Sequence, residues 1–162
     1  MTEVTKPDVA RLEDEGEVAA DYLEELLDIA DLDGDIDLDV RHGRAAVEVV
    51  TDEPGALVSL VGDDGEVLDA LQDLTRLAVQ AKTGERSRLM LDIAGHRAAL
   101  RAELTALATA KVALVKDSGQ PVSLEPMNAF ERKVVHDVVG AAGLSSDSQG
   151  VDPHRYVVIS PA

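Results

Sequence analysis

An arginine and a histidine four residues apart, Arg132 and His136, form the clearest chemical signal in the chain. At i and i+4 of a helix the two side chains meet on one face. A guanidinium offers fixed donors that match a phosphate, and an imidazole adds a donor, an acceptor or a stacking ring. Lys133 lies between them in sequence as a further cation. The helix that must carry them is predicted to open at Pro126, a favoured first-turn residue. Met127, Phe130, Val134, Val135 and Val138 recur at helical spacing and predict its apolar stripe. Arg132 and His136 fall outside that stripe, where they serve either a ligand or an ordinary solvated face. Glu131 falls near the middle of the apolar face and is expected to find a buried or half-buried partner.

Two flanking stretches complete the chemistry. Downstream, Ser148-Gln149-Gly150-Val151-Asp152-Pro153-His154-Arg155 reads as a turn-rich loop feeding a β-branched strand over Tyr156 to Ile159. Upstream, Gly62-Asp63-Asp64-Gly65 turns into an amphipathic helix with Val67, Leu71, Leu74, Ala78 and Ala81 on one face.

The remaining elements follow from period and punctuation. Residues 1 to about 15 are polar and acidic without periodicity, which predicts a disordered tail. Val18, Tyr22, Leu26, Ile29 and Ala30 predict a helix from about Glu17 to Ala30. Strict alternation over Asp35 to Val40, the turn Arg41-His42-Gly43-Arg44 and the return Ala45 to Val50 predict a hairpin. A short helix is expected from Pro54-Gly55 through Leu60, and a third strand over Leu89 to Ile93. A long helix is expected from His96 to about Lys116, with Leu100, Leu104, Leu107, Leu114 and Val115 inward. The run Asp31-Leu32-Asp33-Gly34-Asp35 starts like a calcium loop. Counted from Asp31, however, Ile36 and His42 stand where such a loop needs Gly and Glu, and from Asp33 they are Leu38 and Arg44. Calcium is rejected.

Composition bounds the class. The 162 residues fit one domain or two small ones, with 45% hydrophobic but only 2% aromatic residues. Phe130, Tyr22 and Tyr156 are too few for a surface of several stacked bases. The chain has no cysteine, which excludes disulfides and thiolate metal sites and fits a reducing cytoplasm. No run approaches a membrane span, and no signal peptide is visible, so no membrane insertion is expected. The net charge of −17 argues against nucleic acid at first sight. Its distribution argues otherwise. Residues 1–39 hold 15 acids and two bases, whereas residues 84–116 hold three acids and six bases. His42, His96, His136 and His154 lack metal-ligand spacing, and no phosphate-loop lysine or nucleophile elbow is present. No catalytic residue, metal or cofactor is expected.

With these stretches in order, the chain resembles the Jag-type bacterial proteins. In these a type II KH domain precedes a small domain named for an arginine and a histidine with three residues between them, the Arg-His domain. The matching pair is Arg132 and His136, and Ser148, Gly150, Pro153 and Arg155 match the family's closing Ser-x-Gly-x-x-Pro-x-Arg pattern. The resemblance covers roughly residues 16 to 160. It implies an α+β fold with a KH domain over 16–95, in the order helix, strand, strand, helix, helix, strand, and an Arg-His domain over 96–162. It further implies single-stranded RNA as ligand, with single-stranded DNA as the competitor, and a small single-KH partner protein. A cytoplasmic role in post-transcriptional control of cell elongation and division is implied as well. Arg155 is expected to lie beside Arg132 and His136, either contacting a nucleic-acid backbone or paired with Glu131 or Asp137. The Gly-x-x-Gly loop of a KH domain brings main-chain N–H groups to phosphates. Here its variable positions are Asp63 and Asp64, with Glu66 following. Each carboxylate within about 4–6 Å of a phosphate would repel it by roughly 1 kcal/mol or more. Both would equally complement the helix dipole. The expectation is a KH loop that binds RNA weakly or not at all, with protein interaction as the competing role.

Overall fold

The computed structural model describes residues 5–162. The chain divides into two compact units, Met1–Arg97 and Ala98–Ala162.

In the first unit, helix α1 (Lys6–Ile29) precedes strands β1 (Asp35–Arg41) and β2 (Arg44–Val50). Helices α2 (Val58–Val61) and α3 (Glu66–Thr83) and strand β3 (Met90–Ile93) follow. This is the element order expected of a type II KH domain. The hairpin turns on His42 and Gly43, both at positive φ (53° and 69°), the geometry that matches strand twist in a two-residue loop. The sheet order is β1-β2-β3, with β1 antiparallel and β3 parallel to β2. Alternate residues of the central strand, Ala45, Val47 and Val49, meet Leu91 and Ile93 of β3 and Leu23, Leu27, Leu57, Leu68 and Val79 in one core. Each buried Val or Leu contributes about 1.5–3 kcal/mol of apolar transfer. Side chains cover the free edge of β3. Arg76 Nε donates to Leu89 O (2.8 Å), Leu91 N to Gln72 Oε1 (3.1 Å), and Arg97 Nε to Leu91 O (2.7 Å).

Three expectations are corrected here. Residues 6–15 are not a disordered tail but the first turns of α1, capped at Thr5, whose backbone N donates to Asp8 Oδ2 (3.4 Å). Residues 1–4 of the expected tail lie outside the described residues. The reason is a stripe that starts earlier than expected: Leu12, Ala19, Leu23 and Leu27 are buried, while Ile29, expected inward, is 80% exposed. Glu15 belongs to the same buried face. It accepts from Ser87 Oγ at 3.4 Å and lies 3.6 Å from Arg11. In α3 the buried face is Leu68, Leu71, Thr75 and Val79, and Leu74 lies half exposed. Thr75 is tolerated inside because its hydroxyl donates to Leu71 O (2.6 Å).

In the second unit, α4 (His96–Ser118) leads to β4 (Val122–Ser123), α5 (Ala129–Ala141), β5 (Ser145–Gln149) and β6 (Tyr156–Ser160). The sheet is antiparallel in the order β4-β6-β5. Its core joins Ala108, Val112 and Val115 of α4 to Leu124, to Val135 and Val139 of α5, and to Val157 and Ile159 of β6. Leu107 and Leu114, expected inward, are exposed; the smaller Ala108 and Val112 take the packed face. Strand β5 has no counterpart in the sequence reading, because Ser-Ser-Asp-Ser-Gln has little strand propensity. It forms because all five residues pair with β6 in register, from Ser145↔Ser160 to Gln149↔Tyr156.

Candidate nucleic-acid interface

Helix α5 starts later than Pro126 predicts. Asn128, extended at φ −73° and ψ 174°, is its N-cap: Asn128 Oδ1 accepts from Glu131 N (2.9 Å), and Asn128 N donates to Glu131 Oε2 (2.7 Å). This reciprocal box satisfies two otherwise unpaired helix-end donors. It also supplies the partner expected for Glu131, which is backbone rather than a buried cation.

The box fixes the phase of the helix, and that phase carries Arg132 inward. Arg132 stands three and seven residues before Val135 and Val139 and is only 7% exposed, so its placement outside the apolar stripe is corrected. Its Nη1 donates to Met127 O (2.6 Å) and to Asp152 Oδ1 (3.2 Å). One guanidinium nitrogen therefore ties the segment before α5 to the loop between β5 and β6. His136, one turn on, is half-buried with both ring nitrogens engaged. Nδ1 lies 2.6 Å from Ser146 Oγ and Nε2 lies 2.8 Å from Ser148 Oγ, with donor and acceptor roles set by the tautomer. Lys133 is exposed and pairs with Asp137 (2.9 Å). Phe130 is half-buried, with Arg101 of α4 over its ring at 5.6 Å from the centroid.

The loop from Gly150 to Arg155 closes the surface. Gly150 sits at φ +85°, and a Cβ there would come 3.3 Å from His154 O and 3.5 Å from Tyr156 Cε1, so this turn needs glycine. His154 N donates to Val151 O (2.9 Å). Arg155 is half-buried, and its carbonyl accepts from Met127 N (3.0 Å). Neither carboxylate considered for it pairs with it, since Glu131 serves Asn128 and Asp137 serves Lys133. Its Nε is buried without a hydrogen-bond partner.

The structure thus gathers Arg132, His136, Ser148 and the Gly150–Arg155 loop around α5. Sequence reasoning missed Ser146 and Asp152. The i,i+2 spacing of Ser146 and Ser148 is a same-face signal only once β5 is known to be a strand.

Gly62-Asp63-Asp64-Gly65 belongs to the first unit. Gly62, Asp64 and Gly65 have positive φ (73°, 52° and 79°). A Cβ on Gly62 would fall 2.5 Å from Val67 Cγ2, and one on Gly65 would fall 2.9 Å from His96 Nε2. The glycines are therefore required by the protein's own packing, whatever approaches from outside. Asp63 and Asp64 are exposed, and neither carboxylate has a hydrogen-bond partner among the described residues.

Residues 102–161 match the family model of the Arg-His domain, so the pair Arg132/His136 lies inside a recognised domain of that kind. A protein of Clostridium symbiosum named RNA-binding protein KhpB is 32% identical over 149 residues, covering 88% of this chain and 64% of the relative. A protein of the same name from Lactiplantibacillus plantarum is 30% identical over 141 residues, 86% of this chain and 43% of the relative. The Bacillus subtilis protein of that name is 30% identical over 131 residues, 78% and 62% respectively. The chain belongs with the Jag-type proteins. It spans about two fifths to just under two thirds of the length of these relatives.

Charge separates the two units of this Jag-type chain. Residues 1–97 carry nine bases and 25 acids, and residues 98–162 carry six bases and seven acids. No helix among the described residues is long and apolar enough to cross a membrane.

Proposed function

We propose that this protein binds single-stranded nucleic acid, RNA in preference to DNA, through the α5–β5–β6 surface of its second unit. The observation that carries the reading is the meeting of two sequence-distant groups. The α5 pair Arg132/His136 is joined to Ser146, Ser148 and Asp152 of the β5–β6 hairpin, within an Arg-His domain. The near-neutral charge of this unit leaves Lys133 and Arg155 clear of the repulsion that the first unit would impose on a phosphate chain. Contacts of this kind recognise backbone rather than base sequence. The relatives named RNA-binding proteins support RNA as the ligand. We further assign residues 16–95 to a KH domain that contributes little to RNA affinity, because Asp63 and Asp64 stand exposed where phosphate would approach. A cytoplasmic role in post-transcriptional control of elongation and division, with a small single-KH protein as partner, extends the same reading.

Fluorescence anisotropy of a labelled single-stranded RNA, titrated at two salt concentrations, tests it. Salt-sensitive binding, weakened by Lys133→Glu and by His136→Ala, is the expected result. Absence of binding by the wild type at low salt would remove the RNA reading. It would favour the second reading, a protein-interaction adaptor, which the exposed carboxylates of Asp63 and Asp64 already support.

A further inference from the structure

We propose that phosphate contact at this surface falls to two serine hydroxyls, Ser146 and Ser148, and that His136 is a positioning residue that aims them. The proposal rests on the nucleic-acid reading above and assigns the contact within it. Arg132 is nearly sealed from solvent, and its Nη1 already holds Met127 O and Asp152 Oδ1. The His136 ring has two polar atoms, and each lies within 2.8 Å of a serine oxygen. The ring could reach a ligand through nitrogen only by giving up one of these contacts. The hydroxyls are not so limited. Each carries one hydrogen and two lone pairs, so one bond to the ring leaves capacity for a second partner.

The ring decides which capacity is left. In neutral imidazole one nitrogen donates and the other accepts. The serine that accepts from the ring keeps its own O–H free to donate, and a phosphate oxygen takes that donor. The other serine gives its O–H to the ring and keeps only lone pairs. His136 thus turns a pair of freely rotating hydroxyls into one oriented donor beside one acceptor. Ser146 and Ser148 stand at i and i+2 of β5, on the same face of the strand and about 7 Å apart along it. Both are half-buried, so neither is closed to a ligand. Asp147 between them alternates to the opposite face, which keeps its carboxylate away from the contact.

The test uses the full chain with labelled single-stranded RNA and the variants Ser146→Ala, Ser148→Ala, their combination, Ser148→Thr, His136→Ala and His136→Gln. Circular dichroism establishes that each is folded. Either single alanine variant is expected to lose roughly three- to tenfold in affinity, and the double variant more. Ser148→Thr, which keeps the hydroxyl, should bind close to wild type. His136→Gln, which retains a donor and an acceptor, should retain more affinity than His136→Ala. A folded Ser146→Ala/Ser148→Ala protein that binds like wild type, beside a His136→Ala protein that does not, overturns the proposal in favour of direct ring contact. If the wild type binds no RNA, the nucleic-acid reading fails by itself. Titration with inorganic phosphate, followed by NMR on the His136 ring nitrogens and the Ser146 and Ser148 amides, then decides the serine assignment. A perturbation that the double serine variant loses sustains it, and no perturbation in the wild type overturns it.

Discussion

The two units set a three-stranded sheet against helices and treat polar groups in opposite ways. The first keeps its charge outside: Asp35, Asp37 and Asp39 line the exposed side of β1, and Asp63 and Asp64 stand in an exposed loop. Glu15 and Ser87 are buried there as a pair that bond each other. The second unit puts a guanidinium into its core layer and commits an imidazole to two hydroxyls. The first design gives a sheet whose stability comes from Leu and Val packing. The second gives a surface whose shape depends on a few hydrogen bonds, so it is the one that single polar substitutions can dismantle.

The sharpest way to break this contrast is to damage each unit in turn. Leu68→Ala removes a fully buried side chain from the first core and should cost about 2–5 kcal/mol in denaturant unfolding, while RNA affinity at low temperature stays near wild type. Loss of RNA binding in a folded Leu68→Ala protein would show that the first unit takes part after all. Arg132→Ala should reverse the pattern. It leaves Met127 O without its donor and removes packed methylenes, for about 1–3 kcal/mol, and RNA affinity should fall with the geometry of the loop. Gly62→Ala comes next. Its Cβ would press on Val67 at positive φ, a penalty of about 1–2 kcal/mol, with no change in RNA binding if the loop is a spacer. Asp63→Lys with Asp64→Asn removes the exposed carboxylates while keeping a residue that tolerates the left-handed backbone at position 64. A several-fold, salt-sensitive gain in RNA affinity is expected, read by anisotropy. No gain would mean that phosphate never approaches this loop.

The smallest effect belongs to the β1–β2 hairpin. Arg41 Nε bonds Asp39 (2.7 Å) and holds that carboxyl below the usual carboxylate range. A depressed folded value means that the contribution is present above the ordinary carboxylate pKa and is lost as pH falls through the lowered value. Both side chains are more than half exposed, so Asp39→Asn should change stability little above that range and not at all below it. Thermal unfolding at several pH values and two salt concentrations would check this.

The fold was legible where period and punctuation agree. The hairpin at His42-Gly43, α3 between its glycines and the strand at Tyr156 to Ile159 follow from such signals. It was not legible where tertiary partners override local preference. Leu12 begins a buried stripe inside an acidic segment, β5 is a strand made largely of serines, and Ala108 and Val112 displace two leucines from the packed face of α4. At the candidate site, the residue types Arg132, His136, Ser148 and Arg155 were readable, but their roles were not. Helix spacing places Arg132 beside His136. Only the cap at Asn128, which sets the helix phase, turns Arg132 inward and leaves Glu131 to the backbone.

The covered edge of β3 has a further consequence. A sheet invites a neighbouring chain by offering unpaired backbone along its outermost strand. Here Arg76, Gln72 and Arg97 already occupy that side, and the opposite border runs beside Asp35, Asp37 and Asp39. Strand-to-strand pairing with another molecule is discouraged at both borders, so a protein that recognises the first unit has to grip its helices or loops.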